Sequence, residues 1–142
     1  MKGLVVREPW IDLILSGEKA WEMRSRKTSY RGPVALIRKG SGTIVGVADL
    51  VGIRPPLSRA EMIDAYPLHC IPRDLIERGE VAKWTTPWVL ANVRRLASPV
   101  SYEHPAGAVT WVRLSPAVLL AVEAQLAGGL AGRRISSGAL AR

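Results

Sequence analysis

Short segments with strand-like hydrophobic patterns dominate the first 115 residues of the chain. Continuous or alternating apolar residues, rich in β-branched side chains, predict five or six strands. The segments are GLVV, KAWEMR, RGPVALIR, TIVGVADLVGI, PWVLANVRRL and AVTWVRL. The GSG at residues 40–42 predicts the turn between the third and fourth of them.

Three segments between these strands carry helical signals: EPWIDLILSG, SRAEMIDAY and PRDLIERGE. Pro9 suits the first turn of the first helix and Gly17 suits its C-terminal cap. Ser58 and Glu61 have the spacing of a capping box, and Pro67 is expected to end that second helix. The strands come in runs with helices inserted as connections, which predicts a small α+β barrel and argues against a doubly wound parallel sheet.

The composition changes after Ser115, so we divide the chain into a domain at 1–115 and a tail at 116–142. The tail is rich in Ala, Leu, Gly and Ser. Ala117–Leu126 is compatible with a helix, and the last ten or so residues are expected to be disordered. Because this composition offers little to bury, the tail is expected to be dispensable for folding.

Basic residues are concentrated in one part of the chain, which has a net charge of +8 and a pI of about 10.4. No acidic residue occurs between Glu22 and Asp49, whereas six basic residues do: Arg24, Arg26, Lys27, Arg31, Arg38 and Lys39. A patch of one sign attracts phosphates, although a solubilising surface has the same composition. RNA or a nucleotide is therefore the partner that this pattern favours.

The remaining composition excludes several classes of site. Cys70 is the single cysteine, so no intramolecular disulfide is possible, which suits a reducing cytoplasm. With His69 and His104 as the only histidines, no metal-binding spacing occurs, and we expect neither a metal nor a cofactor. GLVV is interrupted at once by Arg7 and Glu8, so no signal peptide is predicted. The apolar run at 116–132 is too short and too polar to span a bilayer.

The KAWEMR strand raises a specific question because it carries a Lys, a Glu and an Arg. Side chains alternate along a strand, so Glu22 and Arg24 share one face while Trp21 and Met23 point to the other, towards the core. Lys19 lies at the helix–strand junction and can join either face. Spacing leaves two interpretations open: an ion pair on a solvated edge strand, or charged groups that converge in a cleft and tune each other's pKa values.

Other candidates for ligand contact lie near strand ends and in turns. The RKGSG turn at 38–42 can present backbone N–H groups to a phosphate, or it is a plain hairpin turn. Trp84 and Trp88 flank TTP, and a Trp on a loop near a basic surface can stack on a base. The full set assigned to ligand or RNA binding is Arg7, Trp10, Arg24, Arg26, Arg38, Lys39, Ser41 and Trp88.

Several of these segments together resemble the ASCH domain, a relative of the PUA fold. REPW, LILSGEKAWEMR and RGPVALIR occur in the family's order, and its GxKxxExR motif is matched in full by Gly17, Lys19, Glu22 and Arg24. The resemblance extends to about Leu114. It implies a PUA-like barrel of mostly antiparallel strands with helices at its mouth, a cleft lined by the motif residues, and action on RNA or nucleotides by binding or by hydrolysis.

One departure from the family limits what the resemblance implies. A subgroup of small amidohydrolases acting on acylated cytidine has a Thr where this chain has Glu22, so a threonine nucleophile does not carry over to that position. Thr28 and Ser29 are out of register with it.

Three functions therefore stay open. The first is an RNA- or nucleotide-binding module. The second is a metal-independent hydrolase, of ribonuclease or amidohydrolase type, in which Glu22 acts on water while Lys19 and Arg24 stabilise negative charge. The third is a partner-binding domain that uses the tail. A buried Lys19 within hydrogen-bond reach of Glu22 favours chemistry, and a Lys19 splayed along an open groove favours binding.

Overall fold

The computed structural model describes residues 1–140, with side chains for residues 1–128. The elements in chain order are β1 (Lys2–Val6), α1 (Trp10–Leu15), β2 (Trp21–Arg24), β3 (Gly32–Arg38), β4 (Thr43–Ile53), α2 (Arg59–Asp64), α3 (Tyr66–His69), α4 (Arg73–Glu77), β5 (Thr86–Ser101), β6 (Trp111–Val112) and α5 (Pro116–Leu140).

All six strands form one mixed sheet in the order β2-β5-β4-β3-β1-β6. β1 and β3 are parallel, and the other pairs are antiparallel. The sheet curls so that its two edges approach each other. Trp88 of β5 stacks on Trp111 of β6 with ring centroids 5.6 Å apart, and Arg24 of β2 donates a hydrogen bond to the Val5 carbonyl of β1 at 2.6 Å. The predicted α+β barrel is confirmed in this curled, half-closed form.

Apolar side chains pack in three clusters that follow this curvature. The barrel interior is filled from β1, α1, β3, β4 and β5, with Leu4, Ile11, Leu36, Leu50 and Trp88 among its members. Met23 instead joins a smaller cluster beneath α2 and α4, and Trp21 packs against it. The prediction that these two side chains point away from Glu22 into a core therefore needs one correction. Their core is the layer under the helices, because β2 is an edge strand between the two clusters.

Local signals placed the helices well, with one exception. The capping box forms as predicted, with the Glu61 N–H donating to Ser58 Oγ and the Ser58 N–H donating to Glu61 Oε1. Pro67 does not simply end a helix, because it lies in the first turn of the short α3. Proline is tolerated there since the first turn has no intrahelical partner for its missing N–H.

The two C-terminal strands differ in length from the prediction. β5 continues to Ser101, beyond the predicted PWVLANVRRL, because Val100 and Ser101 pair with Ile44 and Thr43 at the start of β4. β6 is only Trp111–Val112, since its pairing with β1 is limited to Leu4 and Gly3. Cross-strand partners, rather than local pattern, set both lengths.

Helix α5 packs against the barrel through its first turns. Val122 is fully buried in a cluster with Leu96, Val100 and Val112, and Val118, Leu119 and Leu126 pack against that cluster. The expectation that the tail offers little to bury is therefore wrong for this part, and we expect its removal to destabilise the fold. The last ten or so residues, for which disorder is predicted, belong to α5 as far as Leu140. Their side chains, and residues 141–142, lie outside the described part of the chain, so the disorder stays a prediction. Among the described residues, no helix combines the length and apolarity needed to cross a membrane.

Candidate functional site

A cleft of about 630 Å³ lies between the barrel and the helical segment, by which we mean residues 71–84 with helix α4. Strand ends supply one side of it, with Arg7 after β1, Lys39 after β3 and Thr110 before β6. The other side comes from residues 71–84, between the end of α3 and the start of β5. The junction between α1 and β2 contributes Trp10, Lys19, Glu22, Met23, Arg24 and Ser25. Backbone geometry thus brings the charged residues of one short segment into a shared cleft.

Lys19 lies at the base of this cleft, only 2% exposed. Its Nζ donates a hydrogen bond to the His69 carbonyl at 2.5 Å and lies 4.0 Å from Glu22 Oε1. It also lies 5.2 Å from the centre of the Trp10 ring. Burial lowers the pKa of the Lys19 amine below its usual 10.5, and the nearby Glu22 carboxylate acts in the opposite direction. The result is an ammonium group whose charge is costly to maintain.

Glu22 and Arg24 form the second half of the charged group. Glu22 Oε2 accepts from Arg24 Nε at 3.0 Å and lies 2.7 Å from Arg24 Nη2. The Arg24 guanidinium also binds the Val5 carbonyl and lies over the Trp88 ring, 5.6 Å from its centre. Glu22 is therefore held through one oxygen by Arg24, while Oε1 faces Lys19. The shared face predicted by strand alternation brings these two side chains together.

His69 fixes the position of Lys19, a role that no sequence pattern indicated. Its side chain is fully buried, and Nδ1 accepts a hydrogen bond from the Ile71 N–H at 2.9 Å. Nε2 therefore carries the proton and donates to the Met62 carbonyl at 2.6 Å. Burial also lowers the pKa of His69, which keeps the ring neutral. The ring holds its own backbone in place, so that the His69 carbonyl points at Lys19 Nζ.

Some of the residues assigned to binding lie in the cleft and others do not. Arg7, Trp10, Arg24 and Lys39 line it together with Lys19 and Glu22. Arg26 is exposed on the loop that follows Ser25. The Arg38 guanidinium is turned towards Asp12 and Glu8, at 2.9 and 3.0 Å.

Ser41 and Trp88 have structural contacts where they lie. Ser41 Oγ donates to the Arg38 carbonyl at 2.7 Å, within the β3–β4 turn. Trp88 is 3% exposed in the barrel interior, and its indole N–H donates to the Arg26 carbonyl at 2.8 Å. Its ring is therefore covered by protein on the faces that a base would need.

Trp84, the other tryptophan beside TTP, does line the cleft and is 39% exposed. Ile71, Leu75 and Val81 form an apolar surface beside it. Ile71, Leu75 and Val81 escaped the sequence analysis because only the chain path from α3 to β5 brings them opposite the strand ends. The loop position of Trp84 was the one available signal.

Three residues of the GxKxxExR motif, Lys19, Glu22 and Arg24, thus line one cleft, even though β2 is an edge strand of the sheet. A family model for the ASCH domain matches residues 4–100. The chain belongs to the ASCH domain family. Membership of this family supports a general role in RNA binding or RNA processing. A search of curated proteins found no match.

Solved structures of an ASCH protein from Zymomonas mobilis have the same fold. The parent protein superposes with a TM-score of 0.61 at 16% identity, covering 79% of this chain and 87% of that chain. Two single-substitution variants of it give TM-scores of 0.61 and 0.60 at the same identity. They cover 79% of this chain and 89% and 87% of their own chains. The likeness confirms the ASCH, PUA-like fold.

The cleft is built without a metal-binding cluster. Within the described residues, no group of three or more His, Cys, Asp or Glu side chains is arranged to hold a metal ion. The acids of the cleft are Glu22, which is bound to Arg24, and Glu80, which lies 3.1 Å from an Arg78 nitrogen. The chemistry that this donor set offers is that of an amine, a carboxylate and guanidinium groups.

Proposed function

We propose that this protein binds single-stranded RNA and takes one nucleotide into the cleft. The observation that carries the proposal is the pairing of cations with an exposed aromatic face. Arg7 and Lys39 are exposed on the strand-end side, and Trp84 is exposed on the helical side. Phosphates bind cations, and a base stacks on an indole.

The dimensions of the cleft fit this assignment. Its volume of about 630 Å³ lies in the range of sites for small molecules, roughly 300–1,000 Å³. The apolar side chains of Ile71, Leu75 and Val81 continue the surface around Trp84, so a base there leaves water. The ribose and phosphate then face Arg7 and Lys39. In the described part of the chain, neither of these cations has a carboxylate within 4.0 Å.

Replacing Trp84 by Ala is expected to weaken the binding of a short single-stranded oligonucleotide by about fivefold to a hundredfold. Loss of one base stack costs about 1–3 kcal/mol. Trp84→Tyr should recover most of the affinity, since the smaller ring still stacks. The measurement is a titration followed by calorimetry or fluorescence anisotropy, with thermal melting to show that each variant folds.

Tyr66 provides the matched control, because it is an exposed aromatic residue outside the cleft. Tyr66→Ala should bind as the parent does. The affinity of the parent should fall steeply with salt, with a log–log slope near −0.7 for each phosphate contacted. Binding that does not change with salt, or equal losses for Trp84→Ala and Tyr66→Ala, contradicts the proposal.

Hydrolysis is a second candidate, and the burial of Lys19 is the observation that favours it. Of the two features that favour chemistry, Lys19 is buried, but its Nζ lies 4.0 Å from Glu22 Oε1, beyond direct hydrogen-bond distance. A hydroxyl oxygen about 2.8 Å from both atoms fits across that gap. The lowered pKa of Lys19 increases the neutral fraction of an amine that can then accept a proton.

In this candidate reaction, a water or a ribose 2′-hydroxyl occupies the gap between the two side chains. A water donates one hydrogen to Glu22 Oε1 and gives its other proton to the neutral Lys19 amine as its oxygen bonds to the acyl carbon or the phosphorus. A 2′-hydroxyl has one proton, which it gives to the Lys19 amine as its oxygen bonds to the phosphorus. The ammonium then returns the proton to the leaving group as its bond breaks. An RNA oligonucleotide and an acylated nucleoside are the two substrates to assay.

If Lys19 is this base, the reaction rate should rise with pH through the lowered pKa of Lys19 and then level off. The Glu22 charge raises that pKa and the Arg24 charge lowers it. Glu22→Gln should therefore move the Lys19 pKa further down, and Arg24→Gln should move it up. Carbon NMR of the labelled Lys19 ε-methylene measures these shifts without depending on activity. A Lys19 that titrates at its usual 10.5 in all three proteins contradicts the mechanism.

A further inference from the structure

A basic track, formed by the exposed cations of one loop and by Lys2, leads away from the cleft where the two edges of the sheet approach each other. The loop at 25–31, which we call the seam loop, connects β2 to β3. Ser25 at its start lines the cleft. The loop then carries Arg26, Lys27 and Arg31, all exposed. It therefore links the charged site to a separate group of cations.

The contacts of the seam loop fix its path. The Arg26 carbonyl accepts from the Trp88 indole, inside the barrel, and the Tyr30 ring packs against Trp111 of β6 with centroids 5.4 Å apart. The Tyr30 hydroxyl donates to the Pro33 carbonyl of β3. The loop is thus bound to β5 at one point and to β6 and β3 at another. Its polar side chains are left on the outside.

Lys2 extends the track at the end remote from the cleft. Its Nζ lies 5.3 and 5.4 Å from the centres of the Tyr30 and Trp111 rings. Lys2 begins β1 and Arg7 follows the end of it, so the two cations are separated by about 16 Å of strand. That distance exceeds the size of one nucleotide. A free nucleotide in the cleft cannot reach both ends.

The charges of the track are not neutralised by the protein. Across the described part of the chain, Lys2, Arg26, Lys27 and Arg31 have no carboxylate within 4.0 Å. Arg31 donates only to backbone carbonyls of its own loop, those of Thr28 and Tyr30. Exposed cations without carboxylate partners, next to one another on the surface of one loop, suit a chain of phosphates.

We infer that the seam loop and Lys2 form a second subsite, which binds the phosphates of the RNA strand that continues from the nucleotide in the cleft. This inference rests on the proposed RNA binding and adds that the ligand is an oligonucleotide rather than a free nucleotide. RNA suits the track better than a membrane surface does. The apolar side chain of the loop, Tyr30, is half-buried and hydrogen-bonded, so no apolar side chain is presented for insertion into lipid.

The test compares two ligands with the triple variant Arg26→Gln, Lys27→Gln, Arg31→Gln. For an oligoadenylate of about eight nucleotides, we expect an affinity loss of about tenfold and a salt slope less steep by about 2, since three phosphate contacts are lost. Adenosine monophosphate, which occupies the cleft alone, should bind the variant as it binds the parent. Thermal melting verifies the fold.

A matched triple variant, Arg54→Gln, Arg73→Gln, Arg95→Gln, removes the same net charge from exposed positions outside the track and outside the cleft. It should retain the affinity of the parent for the oligonucleotide. Equal losses in both triple variants would mean that net charge alone is responsible, and would overturn the inference. So would an oligonucleotide that binds the parent no more tightly than the mononucleotide does.

A replacement variant and a vesicle-binding measurement complete the test. If the triple variant does not fold, Lys27→Glu replaces it. Within the described side chains, Lys27 forms neither a hydrogen bond nor an ion pair, so reversal of its charge should weaken oligonucleotide binding alone. A triple variant that loses binding to phosphatidylserine vesicles but keeps the oligonucleotide would assign the track to membranes and overturn the inference. Failure of the mononucleotide to bind the parent would instead contradict the cleft proposal, so the two failures are distinguishable.

Discussion

Ending the chain at Ser115 is expected to lower its melting temperature by about 10–20 °C. The truncation removes Val122, which is fully buried, and exposes the faces of Leu96, Val100 and Val112 on which it packs. Full burial of one such side chain stabilises by about 1.5–3 kcal/mol, and the partly buried residues of α5 add to this. A total loss of about 3–5 kcal/mol corresponds to that shift for a chain of this size.

Hydrogen bonds add a specific element to the docking of α5. The Gln125 side chain accepts from the Ser98 N–H at 3.0 Å and donates to the Ser98 carbonyl at 2.9 Å. Both Ser98 groups belong to the part of β5 beyond its predicted end. The helix therefore satisfies backbone polar groups there as well as covering apolar side chains.

Point substitutions on the buried and exposed faces of α5 distinguish the loss of packing against the barrel from a change in helix propensity. Val122→Asp places a charge in the buried cluster and should lower the melting temperature nearly as much as the truncation does. Leu120→Asp lies on the exposed face, 67% accessible, and should have little effect. Calorimetry or circular dichroism measures both. A truncated chain with the same melting temperature as the parent would mean that α5 is dispensable for folding, as its composition indicated.

Local signals in the sequence were sufficient wherever a few neighbouring residues decide the structure. The capping box of Ser58 and Glu61 is one example, and β4, which matches TIVGVADLVGI residue for residue, is another. Both depend on short-range hydrogen bonds or on a continuous apolar run. The GxKxxExR spacing likewise places Glu22 and Arg24 on one face, because strand alternation requires it.

Contacts between distant parts of the chain could not be predicted in this way. Lys19 is held by a backbone carbonyl 50 residues away. Because every residue has a backbone carbonyl, the identity of residue 69 does not indicate this contact. Which of Trp84 and Trp88 lies at the cleft could likewise not be predicted from the local sequence. Both flank TTP, but the pairing of Trp88 with Glu22 across β2 and β5 buries one indole, while the chain path leaves the other at the rim of the cleft.

Substitution of Lys19, Glu22 or Arg24 is expected to reduce the affinity for RNA or nucleotide by about tenfold to a hundredfold. Each change removes a charged hydrogen-bonding group from the cleft, and such groups contribute about 1.5–3 kcal/mol. The variants are Lys19→Met, which keeps the aliphatic stem against Trp10, and Glu22→Gln and Arg24→Gln, which keep shape while removing charge.

The same three variants should differ in stability, and the order follows from their contacts. Lys19→Met leaves the His69 carbonyl without its partner but removes a buried charge, so the two effects offset. Glu22→Gln leaves the Arg24 guanidinium partly buried without its counter-charge. Arg24→Gln breaks the link between β2 and β1 at the Val5 carbonyl as well as the ion pair. We therefore expect Lys19→Met to cost least and Arg24→Gln most.

Arg94→Gln is the control for this series, because Arg94 forms a comparable, half-buried ion pair with Asp49 at 2.9 Å away from the cleft. It should lose some stability and keep its affinity. Thermal melting and ligand titration on the four variants separate the two effects. If Lys19→Met, Glu22→Gln and Arg24→Gln all bind RNA and nucleotide as the parent does, the cleft is not the binding site. Lys19, Glu22 and Arg24 then serve only to hold the edge of the sheet in place. Arg24 does so through the Val5 carbonyl and Trp88, and Lys19 through the His69 carbonyl and Trp10.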